Sequence, residues 1–222
     1  KNFDNLNNRE NVDVYTGTAS FLSTYEISIK MKNDTITVKG DKIFINTGSE
    51  PIINNIDGLE GNRYVYTSKE IMEVEELPKK LAIVGGGNIG LEFASIYTNF
   101  GSEVRVFIRG DKFMPREDED ISKEIKKVLE DKGIGFNMNA QVKSINEEEN
   151  GALLRYFDSS LNKELEYKAD GVLIAMGRKP CIQELNLQAA GIELTKKGAI
   201  KVDEHLKTNV PNIWALGDVT GG

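Results

Sequence analysis

Hydrophobic and polar positions alternate through much of the first 50 residues. Residues 12–15, 25–29 and 35–38 each switch at every position, the period of a strand with one face buried. Asn33-Asp34 and Lys39-Gly40-Asp41 mark turns. Residues 42–46 predict a short strand that ends at Thr47-Gly48, and Ser49-Glu50-Pro51 breaks it, which places a boundary near residue 51. The period then changes. Residues 68–77 predict a helix with Ser68 as N-cap, Ile71, Val74 and Leu77 on one face, and Pro78 as its stop. Residues 81–84 are an unbroken apolar run between charge and glycine, the mark of a buried parallel strand. Residues 88–100 repeat Ile89, Phe93, Ile96, Tyr97 and Phe100 at helical spacing, and Gly101 closes the helix. A second strand at 104–108 follows. A second helix at 119–132 turns Ile121, Ile125, Val128 and Leu129 inward and ends at Gly133.

Beyond it, residues 134–145 predict two strands, and 152–157 with 165–168 predict a hairpin around 158–160. Residues 171–175 read as another buried strand. After Pro180 come a short amphipathic stretch to Ala190, a strand around 200–202, and a last apolar strand at 213–216 that runs into Gly217-Asp218. Strands that alternate with helices in the middle of the chain predict an α/β fold.

Composition narrows the function classes. The net charge is −7, with no basic stripe of the kind a nucleic-acid binder carries. Lysines and acids interleave through 116–132, as on a solvated helix face. Cys181 is the one cysteine, so no intrachain disulfide framework exists. No apolar run approaches membrane-spanning length, and no signal-peptide core stands at the start, so a cytoplasmic protein without a membrane partner is expected. The chain opens KNFDN without an initiator methionine, which points to a piece cut from a longer sequence.

The chemistry lies in Gly85-Gly86-Gly87-Asn88-Ile89-Gly90, which holds G-x-G-x-x-G at 85, 87 and 90. Gly85 allows a tight turn out of the strand. Gly87 lets backbone approach a pyrophosphate with no Cβ in the way, and Gly90 lets the helix pack close to the strand. The free amides of the helix start and its dipole favour phosphate charge. The motif alone is weak, but here a strand precedes it, and a helix and second strand follow. A nicotinamide dinucleotide is the expected ligand.

Binders of NAD carry an acid at the end of the second strand, about 20 residues on, for the ribose 2′-hydroxyl. That position here is Ile108, followed by Arg109. An arginine suits a 2′-phosphate, and a charge-assisted contact of roughly 1.5–3 kcal/mol is about 10- to 100-fold in affinity. Arg116 and Lys112 can contribute from the next loop. The alternative leaves Arg109 on the surface and gives the ribose to Asp111. NADP is favoured over NAD.

Four segments in order and spacing carry a family resemblance: Gly85–Phe93 (GGGNIGLEF), Thr47-Gly48 before Pro51, Ala175–Pro180 (AMGRKP) and Asn212–Gly221 (NIWALGDVTG). The chain resembles the pyridine nucleotide-disulfide oxidoreductases, the group of glutathione reductase, dihydrolipoamide dehydrogenase and mercuric reductase. GDVTGG and Arg116-Glu117-Asp118 look most like the branch of bacterial enzymes that reduce reactive chlorine or hypothiocyanous species.

The resemblance implies a Rossmann-like NAD(P)-binding domain at 51–180, inserted between partial FAD-domain segments at 1–50 and 181–222. Thr47-Gly48 and Ala175–Gly177, with Gly177 at the turn, would be the crossovers. Asp218 matches the acid that accepts a hydrogen bond from the flavin ribitol, and Glu92 the helix acid near the nicotinamide. Arg109 matches the arginine that glutathione reductase sets on the 2′-phosphate. The second such arginine has no clear match, because Pro115 lies near its place and Arg116 is one residue on.

The family's flavin glycine loop, its C-x-x-x-x-C redox pair and its C-terminal His–Glu couple are absent. No catalytic residue or metal ligand is therefore assigned. Cys181 reads as structural and His205 as exposed. The expected protein is about half of an FAD enzyme, one that passes hydride from NAD(P)H to flavin and forms a homodimer through a further C-terminal domain. By itself this portion is expected to be inactive. Two alternatives remain: a flavoprotein such as an NADH oxidase or ferredoxin reductase that lacks the disulfide, and a non-catalytic dinucleotide-sensing module.

Overall fold

The structure, a computed structural model, describes residues 2–53 and 56–221. Its contacts divide the chain into two compact units, Pro51–Arg178 and the pair Lys1–Glu50 with Lys179–Gly222.

The central unit is α/β. Its strands are β1 (Val65–Tyr66), β2 (Lys80–Val84), β3 (Glu103–Phe107), β4 (Gly135–Asn137), β5 (Ala140–Glu148), β6 (Gly151–Asp158), β7 (Lys163–Ala169) and β8 (Gly171–Ile174). A parallel sheet runs in the order β1-β8-β2-β3-β4. Helix α1 (Asn88–Asn99) joins β2 to β3, and α2 (Glu119–Asp131) lies between β3 and β4. Strand β2 is apolar without alternation because both of its faces are covered. Leu81 and Ile83 pack with Leu91, Ala94 and Tyr97 of α1, whereas Ala82 and Val84 meet the antiparallel sheet β5-β6-β7. Phe107 anchors that second layer, with edge-on contacts to Tyr156 and Tyr167 at 5.1 and 5.4 Å.

The helices stand where the spacing predicts, and Tyr97 and Leu129 are buried as expected, but the buried faces otherwise differ from the apolar spacing. In α1 the buried residues are Gly90, Leu91, Ala94 and Tyr97, while Ile96 and the capping Phe100 are exposed. In α2 Ser122 and Leu129 are buried, and Ile121 and Val128 are exposed. In α1 the small Gly90 and Ala94 let helix and strand approach closely, and in α2 Ser122 is buried against the Phe113 carbonyl. Residues 68–77 form only one 3₁₀ turn, Glu70–Glu73, before the backbone extends at Val74. The entry to it is set by Thr67 rather than Ser68. Glu70 N–H donates to Thr67 Oγ1 at 3.5 Å, and Thr67 N–H donates to Glu70 Oε2 at 2.7 Å, a capping box.

The other unit holds a short helix, Asn2–Asn7, and an antiparallel sheet of Thr18–Phe21, Glu26–Lys30 and Thr35–Lys39 in that order. It also holds two parallel strands, Ile43–Ile45 and Ile213–Ala215. Phe21, Ile43, Ile45, Leu187, Ile200, Ile213 and Val219 form its core. Residues 12–15 are not a strand. Val12 N–H instead closes a turn onto Arg9 O. Residues 200–202 are likewise not a strand. Ile200 N–H donates to Val219 O and Lys201 N–H to Glu193 O, two different neighbours, which leaves only an isolated bridge between Leu194 and Ile200.

Candidate functional site

Three adjacent parallel strands deliver three loops to one edge of the central sheet. Ala175–Gly177 leaves β8, Gly85–Gly90 leaves β2, and Ile108-Arg109 leaves β3. The carboxyl ends of parallel strands are where open α/β sheets receive ligands.

The glycine loop is held tightly on its inner side. Gly85 N–H donates to Phe107 O at 3.0 Å. Gly85 has φ +117°, and a Cβ on it would collide with the Ala175 carbonyl oxygen. A Cβ on Gly90 would collide with the Gly85 carbonyl oxygen and stand 3.4 Å from Ala175 Cβ. Gly86, outside the three motif glycines, is also closed, because Ile108 Cδ1 lies 2.5 Å from where its Cβ would be.

Gly87 is different. It is exposed, its φ of −83° suits any residue, and a Cβ there would meet no atom within 4 Å. Nothing in the packing of the protein requires glycine at 87. Gly87 is also the N-cap of α1, which has no side-chain cap and no acid in its first turn. By contrast α2 carries Glu119 and Asp120 in its first turn. The first helical bond of α1 runs from Leu91 N–H to Gly87 O at 3.0 Å, and the amides before it lie outside the helical ladder. Asn88 is exposed and Ile89 half-buried on that first turn, and Glu92 is exposed one step further on.

Arg109, Asp111, Lys112 and Arg116 are all exposed on the loop between β3 and α2. Its root is fixed. Ile108 N–H donates to Asn137 O at 2.8 Å, and the carbonyls of Ile108 and Gly110 accept from Ala140 and Asn139 N–H, each at 2.9 Å. At its far end Phe113 is buried, and its carbonyl accepts from Ser122 Oγ at 2.5 Å. Gly177, with φ +120°, accepts at its carbonyl from Ile52 N–H at 2.9 Å.

Asp218 belongs to the other unit. It lies in the 3₁₀ turn Gly217–Thr220, just past the end of Ile213–Ala215. Val219 is fully buried beneath it. Asp218 Oδ2 accepts a hydrogen bond from Ser49 Oγ at 2.7 Å, a contact that no spacing in the sequence signals. Beside it Thr47 Oγ1 donates to Cys181 O at 2.7 Å, and Cys181 N–H donates to Gly48 O at 3.0 Å. Cys181 is a half-buried free thiol, and His205 is exposed. Among the described residues no group of three or more His, Cys, Asp or Glu could hold a metal ion. No helix among them is long and apolar enough to cross a membrane.

The family model of the pyridine nucleotide-disulphide oxidoreductases matches residues 1–222, and the chain belongs to that family. It is 40% identical over its whole length to the probable pyridine nucleotide-disulfide oxidoreductase RclA of Escherichia coli, of which it covers 49%. It is 36% identical, over 98% of its length, to a dihydrolipoyl dehydrogenase of Bacillus subtilis, of which it covers 46%. A solved structure described as a Cu(II) complex of the HOCl-induced flavoprotein disulfide reductase RclA from Escherichia coli superimposes with a TM-score of 0.92. That match has 39% identity and covers all of this chain and 49% of the other. The chain thus spans about half the length of the curated relatives it matches.

Proposed function

We propose that this member of an oxidoreductase family holds a nicotinamide dinucleotide on Gly85–Gly90 and contributes Asp218 to a flavin site, as part of a longer FAD-dependent enzyme. The observation that carries the reading is Gly87. A glycine with open space where its Cβ would stand, at the uncapped, acid-free start of a helix, matches what a pyrophosphate needs. In this reading Pro51–Arg178 is the NAD(P)-binding domain, and the other unit belongs to an FAD domain.

When bound, NAD(P)H would supply a hydride and FAD would be its acceptor. The roles of this chain's own residues are to bind and orient. The amides of Asn88, Ile89 and Gly90 face the phosphates. Glu92 orients the nicotinamide end. Arg109, with Arg116 on the same exposed loop, attracts a 2′-phosphate and so favours NADPH. Gly177 lets the chain turn at the crossover, and the Asp218 carboxylate accepts from a flavin hydroxyl. The full-length protein is a cytoplasmic homodimer that reduces a disulfide or a related acceptor, and this portion alone turns over little.

The test is calorimetric titration of the folded, full-length protein with NADPH and NADH. Saturable binding of both, tighter for NADPH, is expected. Absence of uptake of either by folded protein refutes the dinucleotide site, and tighter NADH binding that is indifferent to Arg109 refutes the preference.

A further inference from the structure

Two parallel strands, Ile43–Ile45 and Ile213–Ala215, run side by side in register, with Ala215 opposite Ile45. Beyond their carboxyl ends the chain places Ser49 on one side and Asp218 on the other, 169 residues apart in sequence and joined by the 2.7 Å hydrogen bond from Ser49 Oγ to Asp218 Oδ2. Both ends are fixed. Leu216 N–H donates to Ile45 O at 3.0 Å, and Ile200 N–H donates to Val219 O at 3.1 Å, which ties down the turn that carries Asp218. Gly217, at φ +75°, sits so close to Asn46 that a Cβ would stand 2.8 Å from Asn46 Oδ1. The Asp218 carboxylate makes no ion pair among the described residues.

We infer that Ser49 is a positioning residue for flavin: its hydroxyl holds one oxygen of Asp218, fixes the plane of the carboxylate, and leaves the other oxygen aimed to accept from a ligand hydroxyl. This inference rests on the assignment of Asp218 to the flavin site. The physical argument is directional. A free carboxylate rotates about its last torsion, which is broad and roughly two-fold. A donor locked onto one oxygen removes that freedom before the ligand arrives, and preorganisation raises affinity by lowering the ordering cost of binding. Ser49 itself need not touch the ligand.

The experiment uses the full-length protein, stripped of flavin and titrated with FAD, with flavin fluorescence and visible circular dichroism as readouts. Ser49→Ala is expected to weaken FAD by about tenfold, the scale of one hydrogen bond to a charged group, and to alter the flavin dichroism. Ser49→Thr, which keeps the hydroxyl, is expected to restore both. Asp218→Ala is expected to weaken FAD more strongly, and adding Ser49→Ala to it to cost nothing further, because the pair acts as a unit. Unchanged FAD affinity in Ser49→Ala beside a weakened Asp218→Ala overturns the positioning role and leaves the flavin reading standing. Additive losses in the double variant also overturn it. Unchanged affinity in Asp218→Ala overturns the flavin reading itself.

Discussion

Ile108 fills the space that a side chain on Gly86 would need. A Cβ at Gly86 would stand 2.5 Å from Ile108 Cδ1 and 2.7 Å from its Cγ1. Ile108 occupies the strand-end position where NAD binders carry an acid, yet its side chain is only 9% exposed and lies against the glycine loop. Loop and strand end are thus matched in shape. Gly86→Ala is expected to destabilise the protein by about 1–3 kcal/mol, the usual cost of overpacking. In an Ile108→Ala background, which removes both crowding atoms, the same change should cost much less. Denaturant unfolding of the parent, the two single variants and the double variant measures this coupling, and additive costs would show that the two sites do not share the space.

The glycines of the loop should separate into two classes. Gly85→Ala and Gly90→Ala place a Cβ against backbone carbonyls, and Gly85 adds the strain of φ +117°, so both should lose about 2 kcal/mol or more of stability. Gly87→Ala meets nothing, and should change stability by less than about 1 kcal/mol, the scale of an N-cap exchange. Its affinity for NADPH should nevertheless fall by about tenfold or more, because the added methyl stands where phosphate must approach. Thermal unfolding beside calorimetry reads the split. A Gly87→Ala protein that binds NADPH normally removes the observation on which the dinucleotide site rests.

Arg109 is exposed on a loop whose root is pinned by the backbone of 137–140, so its substitution should leave the fold intact. Arg109→Ala should weaken NADPH by about 10- to 100-fold and NADH by less than about twofold, since only the 2′-phosphate offers it a charged partner. Equal losses for both cofactors would assign Arg109 to a feature they share. No loss for either would return the ribose to Asp111.

These expectations show which parts of the molecule the sequence made legible. The strand at Lys80–Val84 and the helix after it were readable because an apolar run followed by glycine has few other uses. The faces of the helices were legible only in part. Apolar spacing selected the buried Tyr97 and Leu129 but also the exposed Ile96, Phe100, Ile121 and Val128, and it passed over Gly90, Ala94 and Ser122, small residues whose burial comes from close approach or from a hydrogen bond to Phe113 O. Alternation at 12–15 failed for another reason: it marks a residue pattern fit for a strand, but a local turn from Arg9 to Val12 takes the backbone there instead. Gly86 and Ser49 escaped notice because each owes its role to a partner distant in sequence, Ile108 and Asp218.

Tyr97 gives a prediction in pH. It lies on α1, is 6% exposed, and its hydroxyl donates to the Ile71 carbonyl oxygen at 2.6 Å. Burial, with a smaller contribution from Tyr66, raises its pKa above the ordinary 10.0. The folded protein therefore favours the neutral phenol more than the unfolded chain does. That contribution is complete below the unfolded value and is lost as pH climbs through the higher folded value. Tyr97→Phe removes the donor to Ile71 and should cost about 1–2 kcal/mol near neutral pH. It should also make the fall of stability above about pH 10 shallower than in the parent. A residual fall remains, because burial also raises the pKa of Tyr66, Tyr156 and Tyr167. Urea midpoints measured from neutral to alkaline pH decide it. If parent and variant lose stability along parallel curves, the Tyr97 hydroxyl is not the group that titrates with unfolding.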